Sequence, residues 1–204
     1  MTSTEITSSS RTRFRWRVVD IVVASVIGVA SGVIFWAWGL LWNPLSALLS
    51  FTPGLAGILS GGWLFAGVLG GLIIRKPGAA VYTEVIAAVV SMLIGSQWGF
   101  STLIWGIVEG LGAEVVLAIF LYANWRLGVA LLAGAGAGVA VGLLDTSFTS
   151  YAALEFGAKA IYFSTAVVSG GFIAGLLSWL AVKALAGTGA LSRFAAGREA
   201  TRRV

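Results

Sequence analysis

The sequence has no cysteine and no histidine among its 204 residues, and only 10% of the residues are charged. Without these two residue types the chain has no disulfides, no zinc site built from Cys or His, and no thiol or imidazole catalysis. It also lacks the phosphate-binding pattern G-x-x-x-x-G-K-[ST] and any nucleophile–base spacing among its Ser, Asp and Glu residues. We therefore predict a chain that is not an enzyme and that binds no cofactor.

Apolar residues are present in large excess. Hydrophobic residues make up 58% of the chain, and the mean hydropathy is +0.97. A soluble domain keeps about a quarter of its residues charged, and a chain of this length has too much surface to hide such a composition in one core. The sequence therefore predicts an integral membrane protein in a lipid bilayer. The net charge of +5 does not indicate nucleic-acid binding, because the cations lie at the termini and in short loops.

Six apolar segments, separated by polar or Gly/Pro-containing turns, predict an all-α bundle of six transmembrane helices. The predicted spans are residues 18–41, 55–74, 79–94, 98–122, 127–144 and 159–185. The third is short against the usual length of about 20 residues. We expect a membrane domain over residues 18–185 between two basic tails, 1–17 and 186–204, and no cleavable signal peptide at the polar N-terminus.

The distribution of cations predicts the orientation. If both termini are cytoplasmic, Lys159 is the one residue among the 13 Lys and Arg that lies outside. This asymmetry follows the positive-inside rule and requires an even number of spans. It also places three loops on the outer side, at residues 39–53, 95–98 and 145–158.

Small residues recur at intervals of four on several predicted helices. They are Ala24, Gly28 and Gly32 on the first span, Ala130, Gly134, Gly138 and Gly142 on the fifth, and Gly171 and Gly175 on the sixth. Such stripes allow two helices to approach closely in lipid. Two interpretations remain open: the stripes pack within this chain, or the stripe of the first span contacts a partner protein.

Three acidic residues, Glu84, Glu109 and Glu114, lie inside predicted spans. An ionised carboxylate at membrane depth costs on the order of 3 kcal/mol, so such residues are candidates for function. From the helical rise, Glu84 and Glu114 share a depth in the cytoplasmic half, and Glu109 is nearer the midplane. No cation lies at that depth, which leaves neutral hydrogen-bonded acids, a cationic ligand, or a proton or metal-ion path as alternatives.

Tryptophan is abundant, with nine residues, and many lie near the predicted outer ends of helices. An interfacial aromatic belt accounts for part of this distribution. Trp105 differs, because it precedes Glu109 by one helical turn on the same face of the fourth span. An aromatic plane beside a carboxylate suits a flat cation.

Several short motifs together resemble the YkoE family over about residues 15–185. They are Arg17-Val-Val-Asp20, Phe35-Trp-Ala-Trp38, Leu41-Trp-Asn43, Arg75-Lys-Pro-Gly-Ala79, Thr83-Glu-Val85, Gly95-Ser-Gln-Trp-Gly99 and Gly110-Leu-Gly-Ala-Glu-Val115. These proteins are substrate-capture (S) components of energy-coupling-factor (ECF) transporters, a class of ABC importer. The resemblance implies a subunit of the bacterial cytoplasmic membrane that binds thiamine or its hydroxymethylpyrimidine precursor. It also implies a transmembrane coupling (T) subunit and two ABC ATPases as partners.

The resemblance, added to the buried acids, suggests a set of site residues. We expect Glu84 and Glu114 to face the ligand, with Glu109 as a third acid. The stacking and hydrogen-bonding candidates are Trp105, Trp42, Asn43, Tyr82 and Tyr162. Other S components meet the T subunit through Ala-x-x-x-Ala on the first helix, and Ala24, Gly28 and Gly32 give the nearest match here. A stand-alone proton-coupled or ion transporter, and a membrane enzyme or structural subunit, remain the alternatives.

Overall fold

The structure is a computed structural model that describes residues 14–201, with side chains to residue 198. Every regular element in this range is helical, and eleven helical segments follow one another along the chain. They are α1 (Val18–Leu48), a 3₁₀ segment (Leu55–Gly62), α2 (Phe65–Ile74), α3 (Ala79–Ile94), α4 (Ser101–Ile119), α5 (Leu127–Phe148), a 3₁₀ turn (Ser150–Ala153), α6 (Phe156–Ser169) continued by a π-helical segment (Gly170–Leu176), α7 (Leu177–Gly187) and α8 (Ala195–Thr201).

Five helical stretches within residues 14–201 are long and apolar enough to cross a membrane. They are Val18–Leu48, Leu55–Ile74, Ser101–Ile119, Leu127–Phe148 and Phe156–Gly187. The remaining apolar helix, α3, has 16 residues. All six predicted segments are therefore helical, and the prediction of an all-α membrane protein is confirmed.

Two helix ends differ from the sequence prediction. Helix α1 continues past Pro44 to Leu48, so most of the predicted loop 39–53 is helical. A proline removes one backbone hydrogen bond, which membrane helices tolerate when other groups satisfy the freed carbonyl. Helix α5 extends to Phe148 and therefore includes Asp145, which the prediction placed in a loop.

The small-residue stripes pack within the chain. A Cβ atom on Gly28 would lie 2.7 Å from the Ile86 side chain, and one on Gly32 would lie 2.6 Å from the Ala87 carbonyl oxygen, both on α3. On α5, a Cβ atom on Gly138 would lie 2.5 Å from the carbonyl oxygen of Ala166 on α6. The structure thus places Gly28 and Gly32 of the first-span stripe against α3, and Ala24 of the same stripe is fully buried.

The basic segments meet at one end of the bundle. Asp20, which is fully buried, accepts a hydrogen bond of 2.8 Å from the Arg17 guanidinium and forms an ion pair with Lys76 of the α2–α3 turn. The Arg17 guanidinium also lies 5.9 Å from the centre of the Phe194 ring. The N-terminal segment, the 75–78 turn and the C-terminal segment are therefore joined at this end, which we call the basic end.

Candidate functional site

A cavity of about 420 Å³ lies toward the end of the bundle opposite the basic end. Its position follows from the parts of α4 and α5 that line it. The lining residues on α5 are in its second half, away from Arg126, and those on α4 are in its first half. Seven of the lining residues are aromatic: Phe35, Trp42, Trp63, Trp98, Trp105, Tyr151 and Tyr162. A cavity of this size and lining suits a small organic ligand.

Three tryptophans from separate segments pack together at the outer edge of the cavity. The ring centres of Trp42 and Trp63 are 5.3 Å apart, those of Trp63 and Trp98 also 5.3 Å, and those of Trp42 and Trp98 6.2 Å. The Trp63 indole N–H donates to the backbone carbonyl of Phe35 at 3.1 Å. The ring contacts and this hydrogen bond position the three indoles against one another.

Gln97 holds the loop that carries Trp98 against α1. Its amide nitrogen donates to the backbone carbonyl of Gly39 at 2.9 Å, and its amide oxygen accepts from Asn43 at 3.1 Å. The Trp98 ring packs on the same glycine, because a Cβ atom there would lie 3.1 Å from the indole. These contacts position Trp98 over the cavity.

The cavity contains two carboxylates in different hydrogen-bonding states. One oxygen of Asp145 accepts from the Trp105 indole N–H at 2.8 Å, and the other accepts from the Tyr162 hydroxyl at 2.5 Å. Glu109 is 6% exposed and lines the cavity, and no hydrogen bond to its carboxylate is formed within residues 14–201. Asp145 therefore orients two aromatic rings, whereas the carboxylate of Glu109 is available to a ligand.

No Lys or Arg is among the described residues that line the cavity. Its electrostatic character is therefore set by Glu109 and Asp145. Burial, together with the charge of Asp145, raises the pKa of the Tyr151 phenol in the adjoining turn. Two acids inside an aromatic wall provide the two attractions that a flat organic cation uses, ion pairing and cation–π contact.

The structure brings four of the predicted site residues together at this cavity: Trp42, Trp105, Glu109 and Tyr162. Glu84 is not part of the lining. Its side chain is buried behind the cavity, where one carboxylate oxygen accepts from the backbone N–H of Gly67 at 2.5 Å. The acid that ranked third in the sequence analysis is thus the one that faces the cavity.

Glu114 has a different position, at the start of α3. Its carboxylate accepts from the backbone N–H groups of Gly78 at 2.6 Å and Ala80 at 2.9 Å, and from the Tyr122 hydroxyl at 2.7 Å. Burial and this hydrogen bond hold the pKa of the Tyr122 phenol well above its usual value. Because Gly78, the N-cap of α3, has no side chain to cap the helix, Glu114 supplies the cap from α4.

Two further predicted residues also lie away from the cavity. The Tyr82 hydroxyl is 2.7 Å from the Ser25 hydroxyl, and its ring packs against Trp16 at the basic end. Asn43 contacts Gln97 at the outer rim but does not line the cavity.

Sequence reasoning missed Asp145 and several of the aromatic residues, including Trp63 and Tyr151. A signal for Asp145 was present, because it follows Gly138 and Gly142 by seven and three residues. Those spacings place it on the helix face that carries the small-residue stripe, which faces the interior of the bundle. The assignment of residue 145 to a loop concealed this relation.

Comparison with known proteins identifies the class of the bundle. A crystal structure described as an S component of an ECF transporter has a TM-score of 0.87 with this chain at 35% sequence identity, and the match covers 93% of this chain and 95% of that one. At this level of similarity the fold is that of an ECF S component, a membrane-embedded substrate-binding subunit.

The sequence comparisons narrow the assignment. The chain is 37% identical over 187 residues to YkoE of Bacillus subtilis (strain 168), a protein named as an HMP/thiamine permease, with coverage of 90% of this chain and 92% of that protein. Residues 19–140 also match the family model of the ABC-type cobalt transport system, permease component. The chain belongs to the YkoE family of ECF transporter S components.

Proposed function

We propose that the chain captures thiamine or its hydroxymethylpyrimidine precursor from the outer side of the membrane, in the aromatic cavity. The observation that supports this most strongly is Glu109, a cavity-facing carboxylate that has no hydrogen bond within the described residues. The name of YkoE refers to the same two ligands. Thiamine contains a flat aminopyrimidine and a permanently charged thiazolium, and these match the aromatic wall and the acid.

Each wall of the cavity has a separate task in this proposal. The tryptophan cluster and Trp105 provide planes against which the ligand rings stack. Glu109 pairs with the thiazolium or with the pyrimidine amine. Asp145 keeps Trp105 and Tyr162 in position through its two hydrogen bonds. Such preorganisation lowers the entropy lost when the ligand binds.

An organic cation fits this cavity better than a cobalt ion. Within the described part of the chain, no cluster of three or more His, Cys, Asp and Glu side chains could hold a metal ion. Cobalt sites use several imidazole, thiolate or carboxylate ligands together. The cavity instead combines two acids with aromatic rings.

In the membrane, we propose six spans with both termini in the cytoplasm. Helix α3 counts as a span because the turn before it lies at the basic end, whereas Gln97, just after it, lies at the outer rim beside Trp98. At about 1.5 Å per residue its 16 residues reach about 24 Å, which crosses most of a hydrocarbon core about 30 Å thick. The basic end then faces the cytoplasm, in agreement with the cation distribution.

The sequence has no P-loop pattern, so ATP-driven transport would need partners that bind ATP. We propose that it works with a T subunit and two ABC ATPases in the bacterial cytoplasmic membrane. Uptake by the reconstituted chain alone, without these partners, would instead support a stand-alone transporter.

A tryptophan-quenching titration of the detergent-purified chain tests ligand capture directly. We expect saturable quenching by thiamine and by hydroxymethylpyrimidine, because the cavity contains four of the nine tryptophans. Glu109→Gln is expected to weaken thiamine binding at least about tenfold, the effect of losing one ion pair in a partly desolvated site. Glu155→Gln is the matched control, since it removes an exposed carboxylate that does not line the cavity. The absence of quenching at millimolar concentrations of both ligands would overturn the proposal.

A further inference from the structure

Glu84 is a further acid, buried behind the cavity that Glu109 lines. Its side chain is 1% exposed, and residues without side chains make room for it: a Cβ atom on Gly67 would lie 2.9 Å from its carboxylate, and one on Gly110 would lie 3.1 Å from its Cβ. One carboxylate oxygen accepts from Gly67, and the other has no partner within the described residues. An ionised carboxylate in this position would leave buried charge uncompensated.

The three acids of this region lie close together. The Glu84 side chain packs on Gly110, the residue after Glu109, and Asp145, which lines the same cavity as Glu109, accepts from Trp105, one helical turn before Glu109. The helices α2, α3, α4 and α5 contain no Lys, Arg or His. The other titratable groups on elements around α4 are the Tyr151 and Tyr162 phenols at the cavity and the Tyr82 phenol, which is bonded to Ser25. Glu114, on α4 itself, is occupied by the start of α3.

Three neighbouring carboxyl groups in such surroundings cannot all be ionised, because like charges in a medium of low dielectric constant repel strongly. Asp145 is the best candidate for the ionised form, since a donor N–H and a donor O–H occupy its two oxygens. Glu84 is the best candidate for the protonated form, since it is the most buried and has an unpartnered oxygen. Glu109 faces the cavity, so a bound ligand can change its protonation.

We propose that Glu109 carries a proton in the ligand-free protein and that a bound organic cation displaces it, so that capture of one cation releases one proton to the solvent. The step is an exchange of charge: the carboxyl O–H bond of Glu109 breaks, the proton leaves to water, and the carboxylate pairs with the cation. Glu84 remains protonated throughout and Asp145 remains ionised. This exchange rests on the proposed function, because it requires the ligand to be a cation.

The exchange makes cation binding dependent on pH. While Glu109 is protonated in the free protein, each released proton makes the association constant rise tenfold for each unit by which the pH increases. A neutral ligand in the same cavity needs no carboxylate and releases no proton. Hydroxymethylpyrimidine near neutral pH is therefore the internal control for thiamine.

Isothermal titration calorimetry of the full chain in two buffers of different ionisation enthalpy counts the protons. We expect about one proton released per thiamine and about zero per hydroxymethylpyrimidine. Glu109→Gln is expected to abolish release and weaken thiamine binding, whereas the exposed Glu155→Gln control is expected to match the wild type. If Glu109→Gln does not fold, the pH dependence of the wild-type association constant provides the same count.

The outcomes separate this inference from the proposed function. Saturable thiamine binding without proton release, and with an association constant independent of pH, overturns the exchange but leaves ligand capture intact. Proton release that survives in Glu109→Gln and disappears in Glu84→Gln overturns the assignment to Glu109. The absence of binding by both ligands overturns the proposed function and the exchange together.

Discussion

Replacement of Glu114 by glutamine tests whether this acid stabilises the fold or binds the ligand. Glu114 connects α4 to the start of α3 through one carboxylate oxygen that accepts from Gly78 and Tyr122 and another that accepts from Ala80. In glutamine one of these oxygens becomes an NH₂ group, which donates instead of accepting. At least one buried donor then loses its acceptor, and the start of α3 loses a negative charge.

The expected loss of stability follows from these contacts. A buried donor without a partner costs about 1–3 kcal/mol, and a carboxylate at a helix N-terminus contributes about 0.3–1 kcal/mol. The sum, about 3 kcal/mol, corresponds to a decrease in Tm of about 10 °C for a chain of this size. Glu109→Gln removes a carboxylate that has no hydrogen bond within the described residues, so we expect its Tm to stay within about 2 °C of the wild type.

Thermal unfolding followed by tryptophan fluorescence in detergent measures both variants, with thiamine titrations on the same samples. We expect opposite results: Glu114→Gln loses stability but retains thiamine affinity below its Tm, and Glu109→Gln loses affinity but retains stability. A Glu114→Gln chain with a wild-type Tm and no thiamine binding would refute the structural assignment and restore Glu114 as a ligand contact. The exposed Glu155→Gln variant is expected to change neither property.

Two further predictions concern helix packing and the loop that carries Trp98. Gly32→Ala is expected to lower the free energy of unfolding by about 1–3 kcal/mol by overpacking α1 against α3, whereas Gly128→Ala, with open space around it, is expected to leave the Tm unchanged. An unaltered Tm in Gly32→Ala together with failure to assemble with the T subunit would indicate that the stripe faces a partner. Gln97→Ala removes the bond to Gly39 that holds Trp98 over the cavity, so stopped-flow fluorescence should record thiamine dissociating about tenfold faster. Unchanged dissociation would show that Trp98 is held by ring packing alone.

The helical architecture was predictable because apolar length alone identifies membrane helices. All six predicted segments are helical, and two of them, 55–74 and 79–94, begin and end at the residues the sequence indicated. The errors occurred where a local rule competes with the hydrophobic pattern. Pro44 normally ends a helix, yet it lies within the exposed last turns of α1. Asp145 normally lies outside a helix, yet it lies on the buried face of α5 with Gly138 and Gly142.

The site was less predictable because hydrogen-bond partners distant in sequence determine what each acid does. The sequence alone does not distinguish Glu84, Glu109 and Glu114, because each is a glutamate inside an apolar segment. The partners of Glu114 are backbone N–H groups of another helix, which have no sequence signature. Likewise, the triad Trp42, Trp63 and Trp98 comes from three separate segments, and only the fold brings them into contact. The i, i+4 relation of Trp105 to Glu109 was local, and it was the part of the site that the sequence could reveal.

A structure of the full chain with thiamine bound locates the cation and so shows which acid pairs with it. We predict that the thiazolium lies within about 4 Å of the Glu109 carboxylate and that the ligand rings contact the tryptophans of the cavity wall. Thiamine bound instead beside Glu114 at the start of α3, or outside the aromatic cavity altogether, would contradict this prediction.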